Sequence, residues 1–431
     1  MTTRRTLRFT FFFGSLLIAA TGLAGCASPV LTPTPKINPT SGATVSAPAV
    51  APTPVPSAVP TTPIADTFTY QVKNISPRQF DAGLPTGYAM AELLGGQRVL
   101  IAGGVGPDNL ALASAQLYWP ENTTGPLVST GAMNEARTDF SMTTLAGGQI
   151  LVAGGAESTN GTTLASAETY NALTGVFSTT GAMKFARENP LTLALPDGRA
   201  VVLGGDQGCW QDECKLLTSA EIYDPTTGLF TLLTNKLTAR IYQTATLLAD
   251  GQILIVGGEN AQGTTLFSAE LLDPTSGKVT PTGSPAVFLD SAAAVLLPDG
   301  QVLFAGGSNI GDTSAIGAAA ELYNPATGKF TETSPMLAPT GVTVALLLPD
   351  NQVFLAGSPV DDSNLGFNFS NPSVPVAELY DPATGTFRAA GNLPSGFGPN
   401  LGCLLANGTV FLYGHDYDAS GNLDGIEIYQ P

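Results

Sequence analysis

Three arginines stand at matching places in the chain: Arg137 in MNEAR, Arg187 in MKFAR and Arg240 in LTAR. Arginine presents five N–H donors in a planar fork and stays charged at physiological pH. Three of them on one rim can hold an anionic group. Each can equally cap loop carbonyls or pair with a loop acid such as Asp206 or Glu259. A second chemical stretch is DQGCWQDECKLLT, in which Trp210 sits between Cys209 and Cys214. Its indole is suited to stacking on a sugar or a partner, or to packing over its own loop. In an exported chain the two flanking thiols are expected to form a disulfide. Cys403, in the apolar LGCLLANG, is expected to be a buried thiol outside that pair.

Carboxylates gather at Asp361-Asp362 and in HDYDASGNLD, His415 to Asp424. The second string lacks the spacing and the closing bidentate Glu of a calcium loop, so no metal site is assigned. Imidazole chemistry has one residue to draw on, because His415 is the only histidine of the chain. No catalytic residue and no cofactor is assigned. Two loop carboxylates converging on a glycan remain an open alternative.

These side chains need a scaffold, and the scaffold is repetitive. LPDGQVLFAGG (297–307) returns as LAGGQILVAGG (145–155), LPDGRAVVLGG (195–205) and LADGQILIVGG (248–258). The double glycines or their equivalents begin at Gly103, Gly154, Gly204, Gly257, Gly306, Gly357 and Gly414, roughly 50 residues apart, which is the spacing of propeller blades. Each unit has the same order. An apolar run ends in Asp-Gly or a similar pair, which suits a tight hairpin turn. A second run ends in Gly-Gly, where backbone passes a neighbour closely or takes positive φ. A longer loop follows, then a strand of the type AELYNP (Ala320 to Pro325), a turn, and a fourth strand. The expected fold is an all-β, seven-bladed propeller with four antiparallel strands per blade.

The pattern resembles the kelch repeat, over roughly Ile64 to Pro431. Kelch units usually carry Trp on the fourth strand; here the position holds Phe177, Phe230, Phe330, Phe387 or Val279, and the sixth and seventh units have Gly357-Ser358 and Gly414-His415. The resemblance extends to the propeller of galactose oxidase. That family's copper site uses Tyr and His ligands, and one histidine cannot supply it. The seventh unit stops after its third strand, at Tyr429, and DTFTYQVKNIS (66–76) looks like the missing fourth. Thr67 to Val72 is therefore expected to pair with Ile426 to Tyr429 and remove the open edge. In this architecture the loops after Gly-Gly and the links between blades share one face, and the other face carries tight turns. Binding is expected on the first, at Arg137, Arg187, Arg240 and Trp210.

Outside the repeats the chain changes character. Arg4, Arg5 and Arg8 precede an apolar run, Phe9 to Thr21, and then Leu23-Ala24-Gly25-Cys26. This resembles the leader and lipobox of bacterial lipoproteins. It implies a signal peptide over 1–25, a lipid anchor on Cys26, and export to the cell membrane or outer membrane. Residues 26–63 are rich in Pro, Thr and Ala and read as an extended tether of up to roughly 100 Å. Residues 64–431 form the propeller. With 34 acidic against 17 basic residues, the chain lacks the basic surface that nucleic acid or an anionic bilayer needs. Membrane contact is expected through the lipid alone. The expected partner is a protein or a glycan, and the chain is expected to be a monomer. The alternatives are a carboxylate-dependent enzyme on polysaccharide or a structural envelope scaffold.

Overall fold

The computed structural model describes residues 73–75 and 89–430, except 96, 107, 122–125, 159–160, 209–214, 288–291, 308–317, 339, 362–365, 368–376, 392, 394–396 and 419–420. The leader, Cys26, the tether, Thr67–Val72, Cys209, Trp210 and Cys214 lie outside the described residues.

Seven antiparallel sheets follow one another along the chain. Blade 1 is Met90–Gly95, Arg98–Ala102, Ala115–Tyr118 and Leu127–Ser129, hydrogen-bonded in that order. Blades 2 to 6 span 141–179, 191–232, 244–281, 293–332 and 340–391, and blade 6 carries an extra short strand, Gly366–Phe367. The described residues contain no helix. First strands of neighbouring blades touch one another from blade 1 to blade 3 and from blade 4 to blade 7, and blade 7 closes onto blade 1, so they surround the axis. Second strands are buried on both faces, as in Ile150–Ala153, Ala200–Leu203 and Ile253–Val256. That is why these runs are continuously apolar rather than alternating. Fourth strands face solvent: in Val176–Thr179 only Phe177 is buried.

The double glycines are explained by neighbours. Gly154 and Gly155 have φ of 71° and 99°. A Cβ on Gly154 would meet the carbonyl of Arg187, in the next blade's link, at 2.5 Å. One on Gly155 would meet the Thr138 carbonyl, in its own blade's link, at 2.4 Å. Only glycine allows both the positive φ and the close approach.

The third-strand tyrosine joins blades. Tyr170, Tyr223, Tyr323 and Tyr380 each pack on the fourth-strand phenylalanine of their own blade, at centroid distances of 4.6, 4.9, 4.9 and 4.8 Å. Tilted pairs at this range add to the area they bury. The Tyr170, Tyr223 and Tyr323 hydroxyls hydrogen-bond Thr130, Thr180 and Thr282 of the preceding blade's end. Where blade 4 meets blade 3 all three positions turn apolar together, as Leu272, Val279 and Leu233, so the tyrosine hydroxyl and the threonine that would receive it are absent as a pair.

Blade 7 closes the ring across the termini. Its strands Phe397–Leu404, Val410–Asp418 and Gly421–Tyr429 are completed by Lys73–Ile75, paired Lys73 to Ile428, Asn74 to Glu427 and Ile75 to Ile426. An N-terminal strand thus covers the edge as expected, but the pairing residues come after the expected Thr67–Val72. Cys403 is buried, as expected.

Candidate functional site

The links that enter blades 2 to 6 each run from the outer strand of one blade towards the first strand of the next, and a glutamate on the receiving blade's third strand fixes each by accepting its backbone N–H groups. Glu168 accepts the backbone N–H groups of Asn134 and Glu135, Glu221 those of Lys184 and Phe185, and Glu270 that of Thr238. Glu378 does the same for Leu337 and Ala338. These are the glutamates of the AE-Y strands, and each is buried.

In blades 2, 3 and 4 the arginines join this lock. Arg137 donates to the Gly154 carbonyl at 2.6 Å and meets Glu168 Oε1 at 3.1 Å. Arg187 donates to the Gly204 and Ser219 carbonyls at 2.9 and 3.0 Å and to Glu221 Oε1 at 2.7 Å. Arg240 donates to the Gly257 and Ser268 carbonyls at 2.7 and 2.9 Å, with Glu270 further off at 3.9 Å. The three side chains are 0%, 0% and 2% exposed. Burial pushes each guanidinium down from the usual arginine range, and the facing glutamate pulls it back up. This corrects the expectation that Arg137, Arg187 and Arg240 line a binding rim. Their forks are spent on the carbonyls that end strand 2, and no guanidinium reaches solvent. Their ionic partners are the third-strand glutamates, joined for Arg137 by Glu135 of its own link, and not Asp206 or Glu259. They are positioning residues.

What they position lies two residues further on. Asp139, Asn189 and Tyr242 have φ of 53°, 52° and 57°, the left-handed region that non-glycine residues rarely adopt. They stand at equivalent places, just before the first strands of blades 2, 3 and 4, where the axis opens on the loop face. The Asn189 N–H donates to the Asp139 carbonyl at 2.8 Å, joining two links around the mouth. Glu188 and Asp206 bridge through paired backbone bonds of 2.9 Å. Asn189 Nδ2 donates to Asp206 Oδ2 at 3.1 Å, and Thr163 Oγ1 donates to Glu188 Oε1 at 2.8 Å. Asp139, Glu188 and Asp206 are 3%, 0% and 2% exposed. Burial first, then the charges of Glu188 and Asp206, raise the Asp139 carboxyl from its usual 3.8 to about 7. Sequence reading noted Asp206 but missed Asp139, Asn189 and Tyr242. The available signal was their fixed distance of two residues after each arginine.

Across the axis, blades 6 and 7 are built differently. Their first hairpins continue past a bulge, at Val342/Val344 and Pro399/Leu401. The blade 7 ladder runs on to pair His415 with Asp424, Asp416 with Leu423 and Tyr417 with Asn422. Both hairpins rise on the loop face, opposite the arginine-locked arc.

No family model matches the chain, and no curated protein matches it. Solved structures do match. A fungal alcohol oxidase of the AA5 family, in complex with copper, superposes with a TM-score of 0.62 over 84% of this chain and 76% of its own, at 17% identity. The structure of YjhT superposes with a TM-score of 0.52 over 71% of this chain and 97% of its own, at 13% identity. At these identities the likeness is one of fold. A copper centre does not fit the donor set here. The chain has a single histidine, and among the described residues no group of three or more His, Cys, Asp or Glu side chains can hold a metal ion.

Proposed function

We propose that this chain is an exported, lipid-anchored envelope protein whose propeller binds a protein or glycan partner at the axial mouth. The observation that carries the reading is the asymmetry of that mouth. One arc, in blades 2 to 4, is held rigid by buried arginines and presents Asp139, Asn189 and Tyr242 in strained backbone conformations. The facing arc raises two extended hairpins. Strain maintained by a buried ionic lock is a feature that binding sites use and that a plain scaffold has no need of. The anchor rests on Arg4, Arg5, Arg8, the apolar run and Cys26.

Two variants test the reading. Cys26→Ala is expected to move the protein from the membrane to the soluble fraction; unchanged membrane retention overturns the anchor. In that soluble form, replacing 415–424 by a short turn should leave the β circular dichroism unchanged and abolish binding to envelope glycans on an array or to surface-protein fractions. Retained binding overturns the mouth. Asp139 also favours a second reading, acid–base chemistry on a glycan, because a carboxyl held near neutrality beside other carboxylates is the arrangement such catalysis uses. Turnover of a bound glycan that vanishes in Asp139→Asn would establish it.

A further inference from the structure

The outer edge of blade 3 differs from the other fourth strands. Leu229–Leu232 reads LFTL, with no charge and no proline, and its Leu229 and Leu232 are 61% and 37% exposed. It lies on Ala220–Asp224 with Ile222 opposite Thr231 and Tyr223 opposite Phe230. In the same register Leu233 donates its N–H to the Ala220 carbonyl at 2.9 Å. Hydrogen-bonded pairs alternate along an antiparallel ladder, so Leu229, Thr231 and Leu233 bond inward. The N–H and C=O groups of Phe230 and Leu232 therefore face the open side. Such an edge is a template for another strand unless charge, proline or shortness guards it.

The guards stand at the equivalent places of other blades. The position of Leu232 holds Pro281, which has no N–H, in blade 4 and Glu332 in blade 5. The position of Thr231 holds Arg388 in blade 6 and Lys73 in blade 7. In blades 1 and 2 the position of Leu232 holds Ser129 and Thr179. Among the described fourth strands, blade 3 alone combines two apolar outward residues, both with an N–H, and an uncharged residue between them.

This pattern fits a copy of itself. Turned around a two-fold axis at Thr231, the strand brings Phe230 opposite Leu232 of the second copy and Leu232 opposite its Phe230. Both pairs lie on one face of the joined sheet, and they close four backbone hydrogen bonds. Thr231 meets Thr231 of the second copy on the other face, a favourable cross-strand pair. The same register in blade 6 or blade 7 would set Arg388 or Lys73 against itself. A strand of another protein would meet the same backbone, but nothing in LFTL selects its side chains, whereas LFTL supplies its own match on both faces. The chain's net charge of −17 opposes pairing from a distance, yet the strand itself is neutral and salt screens the rest beyond about 8 Å.

We infer that this edge is a dimer contact, made between two copies of the chain by antiparallel pairing of Leu229–Leu232 around Thr231. The dimer takes the place of the expected monomer and is independent of what the mouth binds. Two four-residue edges bury roughly 800 Å² in all, below the about 1,200 Å² of a stable soluble complex. The pairing is therefore weak in free solution, and confinement to one membrane by the anchor proposed at Cys26 strengthens it by raising the effective concentration.

The test uses the full chain carrying Cys26→Ala, so the contact is measured without the anchor. Sedimentation equilibrium up to a few hundred micromolar, at physiological salt, should show a reversible monomer–dimer equilibrium. Thr231→Lys and Thr231→Asp should each weaken it at least tenfold with unchanged circular dichroism, because Thr231 is exposed. Ser178→Lys, at the same place in blade 2, should leave it as in the parent chain. A mixture of Thr231→Lys with Thr231→Asp should form the dimer again, since the two charges then face each other across the axis. A monomer at every concentration overturns the inference. A dimer that Thr231→Lys leaves intact places the contact elsewhere and overturns the edge. Failure of the mixture to associate overturns the pairing around Thr231.

Discussion

Arg187→Met is the sharpest test of the arginine lock. The methionine keeps most of the apolar stem and removes the fork. Bonds to the Gly204 and Ser219 carbonyls, to Ser219 Oγ and to Glu221 Oε1 all disappear. Glu221 then remains 0% exposed with only the Lys184 and Phe185 N–H groups to hold its charge. Removing one partner of a buried ion pair costs about 3–5 kcal/mol, chiefly through the charge left behind. Arg187→Met/Glu221→Gln removes that charge and keeps an acceptor for the link, so it should recover a large part of the loss. Arg199→Ala is the control: its pair with Asp197 is 33% and 49% exposed, and such a pair contributes no more than about 1 kcal/mol. Urea unfolding followed by circular dichroism measures all three, and hydrogen exchange at 184–185 reports the link itself. A midpoint for Arg187→Met equal to that of Arg199→Ala, or a double variant no more stable than the single one, refutes the lock. Unchanged stability with lost binding would instead restore the arginines to a ligand rim.

Stability should fall as pH rises through mild acid. Burial raises the Glu92 carboxyl from its usual 4.5 to about 7, against the bonds from Thr144, and Asp139 is raised likewise. Between about 4 and about 7 the folded chain holds protons that the unfolded chain has released, so stability drops across that window and levels off above it, by roughly 3 to 4 kcal/mol per group at most. Melting should thus be higher at pH 5 than at pH 8, with a smaller difference in Glu92→Gln; a higher melting temperature at pH 8 refutes this. The turn aspartates Asp224 and Asp273, held below 3.8 chiefly by the Thr226 and Ser276 hydroxyls, act only below that window. Deleting 73–75 uncovers the edge of Gly421–Tyr429 and should lower the melting temperature by several degrees; an unchanged value contradicts ring closure. Mass spectrometry of the unreduced protein should find Cys209 and Cys214 joined, and alkylation of both without reductant excludes the bridge.

The period of the glycines, the Asp-Gly turns and the AELY strands were enough to read seven four-stranded blades, because each blade is a local unit whose turns and apolar runs are written in consecutive residues. Closure by an N-terminal strand was legible too, since an unfinished seventh unit leaves an edge; its register was not, because a strand of three residues is chosen by the partner it meets. The arginines show where sequence stops. Their recurrence was plain, but rim and lock are equally good readings of a charged residue in a link. Only the packed blades decide between them, by bringing Glu168, Glu221 and Glu270, some thirty residues away in the chain, and the strand-end carbonyls to the place where the guanidinium must go. The same packing gathers Asp139, Glu188 and Asp206 from two blades into one buried corner. Burial and Coulomb repulsion act through space, so a sequence that determines each blade leaves the chemistry between blades to the ring that assembles them.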